Sequence, residues 1–156
     1  MERWLLDHFP AYRENSDSRQ AAKDFCLLCA VFEGLLFDGR WSVNQCRDFM
    51  GQINFGGLYG SHFKAAREYF AHRYFEGSEH QIHWDLLGVP IANRDYVERC
   101  LRASDITLPD EAAALLVVAW RLRTNLLHAD EWQRGHIEPA ESFRHAGQVM
   151  LKILEA

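Results

Sequence analysis

At 156 residues the chain has the length of one domain and is long enough to bury a core without disulfides or metals. Hydrophobic residues make up 48% of it and aromatic residues 13%, a composition that excludes a disordered tail. The net charge of −5 excludes a generally basic nucleic-acid-binding surface. Fourteen of the 17 basic residues are nevertheless arginines, whose planar guanidinium suits phosphate. Contact with RNA is therefore expected only through a local arginine patch, and surface ion pairs are the alternative role for most of these side chains.

Neither a membrane span nor a signal peptide is expected. The longest apolar run, 112–120, is too short to cross a bilayer. Near the start of the chain, Asp7 interrupts the apolar stretch within a few residues, which a signal peptide does not tolerate. We therefore expect a protein of the cytoplasm with no membrane partner.

Apolar residues recur at helical spacing, and no segment alternates with the period of two that a strand requires. Turn residues separate the periodic stretches. The helices are expected over residues 17–38, 43–50, 61–75, about 78–87, 93–103, 107–128, and from 139 to the C-terminal region. The first of them is apolar nearly all round, which favours a place at the centre of the fold. The predicted fold class is all-α, an up-and-down helical bundle of about five to seven helices in one domain, 1–156.

Turn and capping residues mark the expected helix boundaries. Gly39 stands where a C′ glycine ends the first helix, and Ser78 begins a capping box with Gln81. Thr107 with Asp110 is a typical helix start. The glycine-rich stretch 51–60 lacks the Gly-Lys-Ser/Thr ending of a phosphate-binding loop, so it is interpreted as a connection between helices.

The four cysteines are interpreted as reduced and mostly buried side chains. Cys26 and Cys29 form a C-x-x-C pair, but they lie in an apolar helical stretch without the turn in which zinc ligands usually occur. Cys46 and Cys100 stand alone, and a free cysteine behaves as a small hydrophobic residue. No metal is expected.

A histidine pair and an aromatic cluster could each have a function, but each also has a simpler structural interpretation. His80 and His83 have the spacing of one helical turn, with Glu79 or Asp85 available to complete a metal site, but a surface helix with two histidines is the simpler reading. The aromatic residues between 69 and 75 are suited to base stacking. Core or interface packing is the simpler interpretation for them.

The helix predicted over 107–128 turns polar at its C-terminal end. Arg121, Asn125 and His128 follow the spacing i, i+4, i+7 and therefore share one face. Arg123 points about 140° away from His128 around a regular helix. Such groups need partners, because burying them unpaired costs several kcal/mol. Capping of a helix C-terminus is the structural alternative.

The segment 120–129 resembles the signature of the HEPN family of small α-helical domains. That signature is an Arg, four to six residues and a His at the end of a helix, usually written Arg-Asn-x-Leu-x-His with a small residue next. Arg123, Leu126, His128 and Ala129 fall on this pattern. An apolar helix precedes the motif, an amphipathic helix follows it, and the early aromatic-rich helix also resembles the family's layout. The resemblance implies a HEPN-like helical domain.

One position departs from the pattern. Thr124 stands where the family usually has Asn, Asp or His, and Asn125 follows one place later as its substitute. The resemblance implies metal-independent cleavage of RNA without a cofactor, with Arg123 and His128 as catalytic residues. Arg121, Thr124 and Asn125 are the expected substrate-binding residues.

Neutral histidine suits acid–base work at a ribose hydroxyl, and arginine suits a phosphate and the charge that develops on it. Arg123 and His128 diverge on one helix, so a composite site made by two chains gives a geometric reason for pairing. Homodimers with such a cleft are common in the family, often as toxins or in phage defence. The expected partners are accordingly RNA, a second copy and an antitoxin protein.

Two alternatives stay open. The first is a non-catalytic HEPN-like module that binds a nucleotide or a protein partner, an interpretation that Thr124 and the acidic net charge favour. The second is a helical binding domain unrelated to the family, in which the motif is a coincidence. That interpretation would be supported by a peripheral position of the helix over 110–128.

Overall fold

The computed structural model describes residues 16–38, 41–53, 61–76, 80–127 and 138–156. These residues form seven helices and no strand, which confirms the predicted all-helical bundle. The helices are α1 (Ser16–Leu36), α2 (Val43–Met50), α3 (Ser61–Phe75), α4 (His80–Leu87), α5 (Ile91–Arg102), α6 (Leu108–Leu127) and α7 (Ala140–Leu154). Within the described ranges, no helix is long and apolar enough to cross a membrane.

The centre of the bundle is α6. Every residue from 111 to 119 is buried, and α6 contacts each of the other six described helices. Four alanines in this run keep its surface narrow, so that neighbouring helices approach its backbone closely. A peripheral position of this helix would have supported a helical domain unrelated to the family. The described residues 108–127 are instead central.

The prediction that the first helix is central was wrong. α1 buries one face, which carries Ala22, Phe25, Cys29 and Phe32, mainly against α7. Its opposite face is exposed although it is also apolar. The apolar surface of α1 therefore does not place it at the centre of the bundle, because α6 with its small residues occupies that position.

Most predicted boundaries agree with the structure. α2 and α3 span the residues expected of them, and α5 begins at Ile91, two residues before the predicted start, directly after Pro90. At the start of α6 the Thr107 hydroxyl oxygen accepts a hydrogen bond from the Asp110 amide at 3.3 Å, as expected of a cap. The expected roles of Gly39 and Ser78 fall outside the described residues.

The C-terminal helix closes the bundle against α1. As predicted, α7 follows Pro139 directly. The rings of Phe25 and Phe143 are 5.5 Å apart, and a Cβ placed on Gly147 would lie 3.5 Å from a methyl of Leu28. These two contacts pack α7 against α1.

Candidate functional site

The C-terminal half of α6 changes from a fully buried helix to one with polar flanks. Leu122 and Leu126 continue the core, whereas residues 120, 121 and 123–125 between them are half-buried. Half-buried polar groups need defined partners. The partners differ between the two flanks of the helix.

On one flank, Arg121 and Asn125 bind the end of α4. The Arg121 Nε donates a hydrogen bond to the Leu87 carbonyl at 2.9 Å, and its Nη2 donates to the Asn125 Oδ1 at 2.9 Å. The Asn125 amide donates in turn to the Leu86 carbonyl at 3.2 Å. The last carbonyls of a helix have no hydrogen-bond partner within it. A cation near them also interacts favourably with the negative end of the helix dipole. The two side chains thus share a face, as their spacing predicts, and they cap α4 rather than their own helix.

This cap requires a glycine at position 88. Gly88 has φ +67°, in the left-handed region that favours glycine. A Cβ at this position would lie 2.8 Å from the Arg121 Nη2. A larger residue here would therefore require the guanidinium to shift, in addition to the strain of a positive φ.

Thr124 bonds to its own helix. Its hydroxyl donates to the Trp120 carbonyl at 2.8 Å, one turn earlier. The hydroxyl proton is therefore used in this hydrogen bond, which holds the side chain against the helix. Thr124 does not contact Arg123 through a hydrogen bond.

On the other flank, Arg123 binds a carboxylate of α1. Its Nη2 lies 2.6 Å from the Glu33 Oε2, with the arginine side chain 28% exposed and the glutamate side chain 14% exposed. The second Glu33 oxygen accepts a hydrogen bond from the Trp41 amide at 3.2 Å. Glu33 is thus fixed by two groups. Arg123 is held in one orientation while more than a quarter of its side chain faces solvent.

The structure does not bring all five predicted site residues together. Arg121 and Asn125 face α4, Thr124 bonds within α6, and Arg123 faces α1. His128 lies outside the described residues. Its placement relative to Arg123 therefore stays a prediction, and so do the catalytic and substrate-binding roles.

Cys26 and Cys29 lie near Arg123, and the cysteines have the character of core residues. Burial raises the pKa of the Cys26 thiol, and the positive charge of Arg123 partly opposes this shift. Burial likewise raises the pKa of Cys29 well above its usual range and that of Cys46 to about 12. Cys29, Cys46 and Cys100 are buried and Cys26 is half-buried, which confirms the prediction of mostly buried thiols.

The metal and base-stacking alternatives are not supported by the described residues. Within them, no group of three or more His, Cys, Asp or Glu side chains is arranged to hold a metal ion. Phe70 and Tyr74 are completely buried with their rings stacked 5.8 Å apart, which confirms the core interpretation for them. Tyr69 stacks on His145 at 4.4 Å.

One buried polar cluster escaped the sequence analysis. The Arg73 Nε donates to a Glu138 oxygen at 2.8 Å, and the Ser142 hydroxyl donates to the same oxygen at 2.7 Å. Ser142 also bonds the Tyr69 hydroxyl at 2.9 Å. The only sequence signal was a serine among the apolar positions of the last helix. The cluster anchors Glu138, the first described residue after the segment that begins with His128.

Comparison of the chain with known protein families, curated proteins and solved structures found no match.

Proposed function

We propose that this chain is a HEPN-type endoribonuclease of the cytoplasm that cleaves RNA without a metal ion, as a dimer with a composite Arg–His site. The observation that carries the proposal is the state of Arg123. Its guanidinium is partly exposed and oriented by Glu33, near the C-terminal end of the central helix and five residues before His128 in the sequence. An arginine in this state is suited to bind a phosphate.

The Arg123–Glu33 contact leaves capacity for a ligand. A guanidinium has five N–H donors, and Arg123 makes one hydrogen bond within the described part of the chain. A phosphate binds through two parallel N–H donors of such a fork. Glu33 thus fixes one edge of the group, and the remaining donors supply the phosphate-binding edge.

The chemistry divides between the two residues of the motif. His128 removes the proton of a ribose 2′-hydroxyl, and the 2′-oxygen attacks the adjacent phosphorus. The bond from phosphorus to the 5′-oxygen breaks, and the histidine of the second chain protonates the leaving oxygen. Arg123 stabilises the negative charge that accumulates on the phosphate oxygens.

Cleavage of RNA in a chelator tests this proposal. The wild type should cleave a mixed RNA in excess EDTA, whereas Arg123→Ala and His128→Ala should each lower the rate by about 100-fold or more. Arg102→Ala is the matched control, because Arg102 is a surface arginine that pairs with Glu98 at 2.7 Å on another helix. Circular dichroism should show the same helical content in all four proteins.

Equal cleavage by the wild type and both motif variants would contradict the proposal, as would loss of wild-type cleavage in EDTA. Expression in cells tests the biological role. A toxin or phage-defence nuclease should arrest growth in a manner that Arg123→Ala abolishes, and an antitoxin protein should relieve the arrest.

The second candidate is a non-catalytic HEPN-like module that binds a nucleotide or a protein. It is favoured by the contacts of Arg121, Thr124 and Asn125, each of which makes a hydrogen bond within the chain. RNA or nucleotide binding that depends on Arg123 and occurs without cleavage would favour this candidate over the nuclease.

A further inference from the structure

A polar cleft lies where α2 and α5 meet the start of α6. Its volume is about 500 Å³, within the range of small-ligand sites. The polar and ring-bearing residues that line it are Asn44, Arg47, Asp48, Tyr96, Pro109 and Asp110. On a regular helix, Pro109 and Arg123 are about 21 Å apart along the axis of α6. The cleft is therefore a second candidate site, separate from the Arg123 flank.

The wall of the cleft beside α6 is held in place by hydrogen bonds. The Tyr96 hydroxyl donates to the Asp110 Oδ1 at 2.9 Å, and the Thr107 hydroxyl donates to the Asp110 Oδ2 at 2.7 Å. Both carboxylate oxygens of Asp110 therefore have partners within the chain. The Asp110 carboxylate fixes the Tyr96 ring across the gap between α5 and α6 and is not a free acceptor for a ligand.

The two charged residues on the α2 side of the cleft have no such partners. The Arg47 guanidinium lies over the Tyr96 ring, 4.3 Å from the ring centroid, and this contact holds it at the cleft. Within the described residues, neither the Arg47 guanidinium nor the Asp48 carboxylate makes a hydrogen bond or an ion pair. The cleft thus offers a fork of donors and a carboxylate on neighbouring residues of one helix.

We propose that this cleft binds a guanine base, which Arg47 and Asp48 recognise through its two polar edges. Guanine presents the neighbouring acceptors N7 and O6, which match two parallel donors of an arginine. It also presents the neighbouring donors N1–H and N2–H, which match the two oxygens of a carboxylate. The rings of Tyr96 and Pro109 supply apolar surface for the flat base.

The pair of unlike charges selects guanine among the four bases. Adenine carries an amino group beside N7, so a donor would face the donors of Arg47. Cytosine and uracil each have a single donor nitrogen, whereas the Asp48 carboxylate can accept from two. Guanine alone combines two neighbouring acceptors with two neighbouring donors. A free guanine nucleotide and a guanine within RNA present these same edges.

Isothermal titration calorimetry with nucleoside monophosphates tests the site without any cleavage of RNA. GMP should bind with a Kd below about 1 mM, and AMP, CMP and UMP should each bind at least about tenfold more weakly. Arg47→Ala should remove this preference. Arg144→Ala is the matched control and should leave it unchanged, because Arg144 pairs with Glu141 on another helix.

Two outcomes of this titration would overturn the proposal. Equal binding of all four nucleotides by the wild type would show recognition of the phosphate and not of the base. Tighter binding of a zwitterionic amino acid such as glycine than of GMP would show that the two charges of the cleft recognise an ammonium and a carboxylate.

Two altered bases test the two contacts one at a time. IMP lacks the N2 amino group, so it should bind about tenfold more weakly than GMP to the wild type but equally to Asp48→Ala. 7-Deaza-GMP lacks N7, and it should bind more weakly than GMP to the wild type but equally to Arg47→Ala. Both side chains are exposed, and circular dichroism should show unchanged helical content in both variants. A discrimination against IMP that persists in Asp48→Ala would overturn the assignment of this contact.

Uncleavable 2′-O-methyl pentamers, UUGUU and UUAUU, distinguish the two sources of the base. Tighter binding of UUGUU than of GMP assigns the cleft to RNA, and tighter binding of GMP assigns it to the free nucleotide. No preference for guanine in either series would overturn the proposal. In the proposed nuclease, the first outcome gives a preference for RNA that contains guanine, and this consequence alone rests on the proposed function. Arg123→Ala should keep GMP binding, so failure of the nuclease proposal and failure of the guanine site are distinguishable.

Discussion

The two flanks of α6 near its C-terminus carry arginines two residues apart, and their partners differ in charge. Arg121 donates to a neutral backbone carbonyl and to Asn125, and so it ends a neighbouring helix. Arg123 meets the carboxylate of Glu33. The Leu87 carbonyl is part of the backbone of α4. A solute that displaced it from Arg121 would leave the end of that helix without this hydrogen bond. A carboxylate that contacts one nitrogen of a guanidinium leaves its other N–H donors for a second anion such as a phosphate. Arg121 thus has a structural role at the end of α4, whereas Arg123 has the exposure and the spare donors that the proposed phosphate binding requires.

The largest difference should appear in stability. Arg121→Ala removes the stronger of two donors to the Leu87 carbonyl and the hydrogen bond that orients the Asn125 amide, at a cost of about 2–3 kcal/mol in the free energy of unfolding. Urea denaturation followed by circular dichroism measures this cost. A cost no larger than that of Arg123→Ala would break the comparison, because both arginines would then be equally structural.

Gly88→Ala should destabilise the fold by about 1–2 kcal/mol, because its φ of +67° is unfavourable for alanine. The close approach of the Arg121 Nη2 adds to this cost. In an Arg121→Ala background the second contribution disappears. A double-mutant cycle should therefore show a combined cost below the sum of the two single costs. If the costs of the two substitutions simply add, the guanidinium moves away from the new Cβ without a loss of stability.

Arg123→Ala should cost about 1 kcal/mol, since the pair it breaks is partly exposed. Raising NaCl to about 0.5 M should reduce this cost, because salt screens an ion pair. The part of the Arg121→Ala cost that comes from the neutral Leu87 carbonyl and the neutral Asn125 amide should change less with salt. Urea denaturation at two salt concentrations checks both statements, and equal salt dependence of the two variants would contradict the assignment.

The sequence predicted the local part of this comparison but not its partners. The spacing of Arg121 and Asn125 predicts a shared face, and the divergence of Arg123 follows from helical geometry alone. The carbonyl that Arg121 binds lies 34 residues away in the chain, and Glu33 lies 90 residues from Arg123. Pairings over such separations depend on how whole helices pack, which periodicity does not encode.

The same limit explains the other differences. α1 and α6 are both apolar on most sides, and only the alanine run of α6 indicates which helix allows close approach from six neighbours. Glu138 has the sequence context of a polar loop, yet it is buried between Arg73 and Ser142. A charged residue is assigned to the surface by default, because burial becomes favourable only when distant partners satisfy it.

The smallest expected effect is electrostatic, and it concerns Cys26. Burial raises the pKa of this thiol, while the charge of Arg123 lowers it. Arg123→Gln should therefore raise the pKa further and slow alkylation of Cys26 about threefold at neutral pH, where the rate follows the thiolate fraction. Mass spectrometry of the Cys26 peptide after brief iodoacetamide treatment measures this rate.

Arg121→Gln is the control and should leave the rate unchanged, because Arg121 lies on the opposite flank. In both variants the rate should rise about tenfold per pH unit below the pKa, with the Arg123→Gln profile displaced toward higher pH. A displacement toward lower pH, or the same displacement in both variants, would contradict the assignment of this positive charge to the α1 side of the helix.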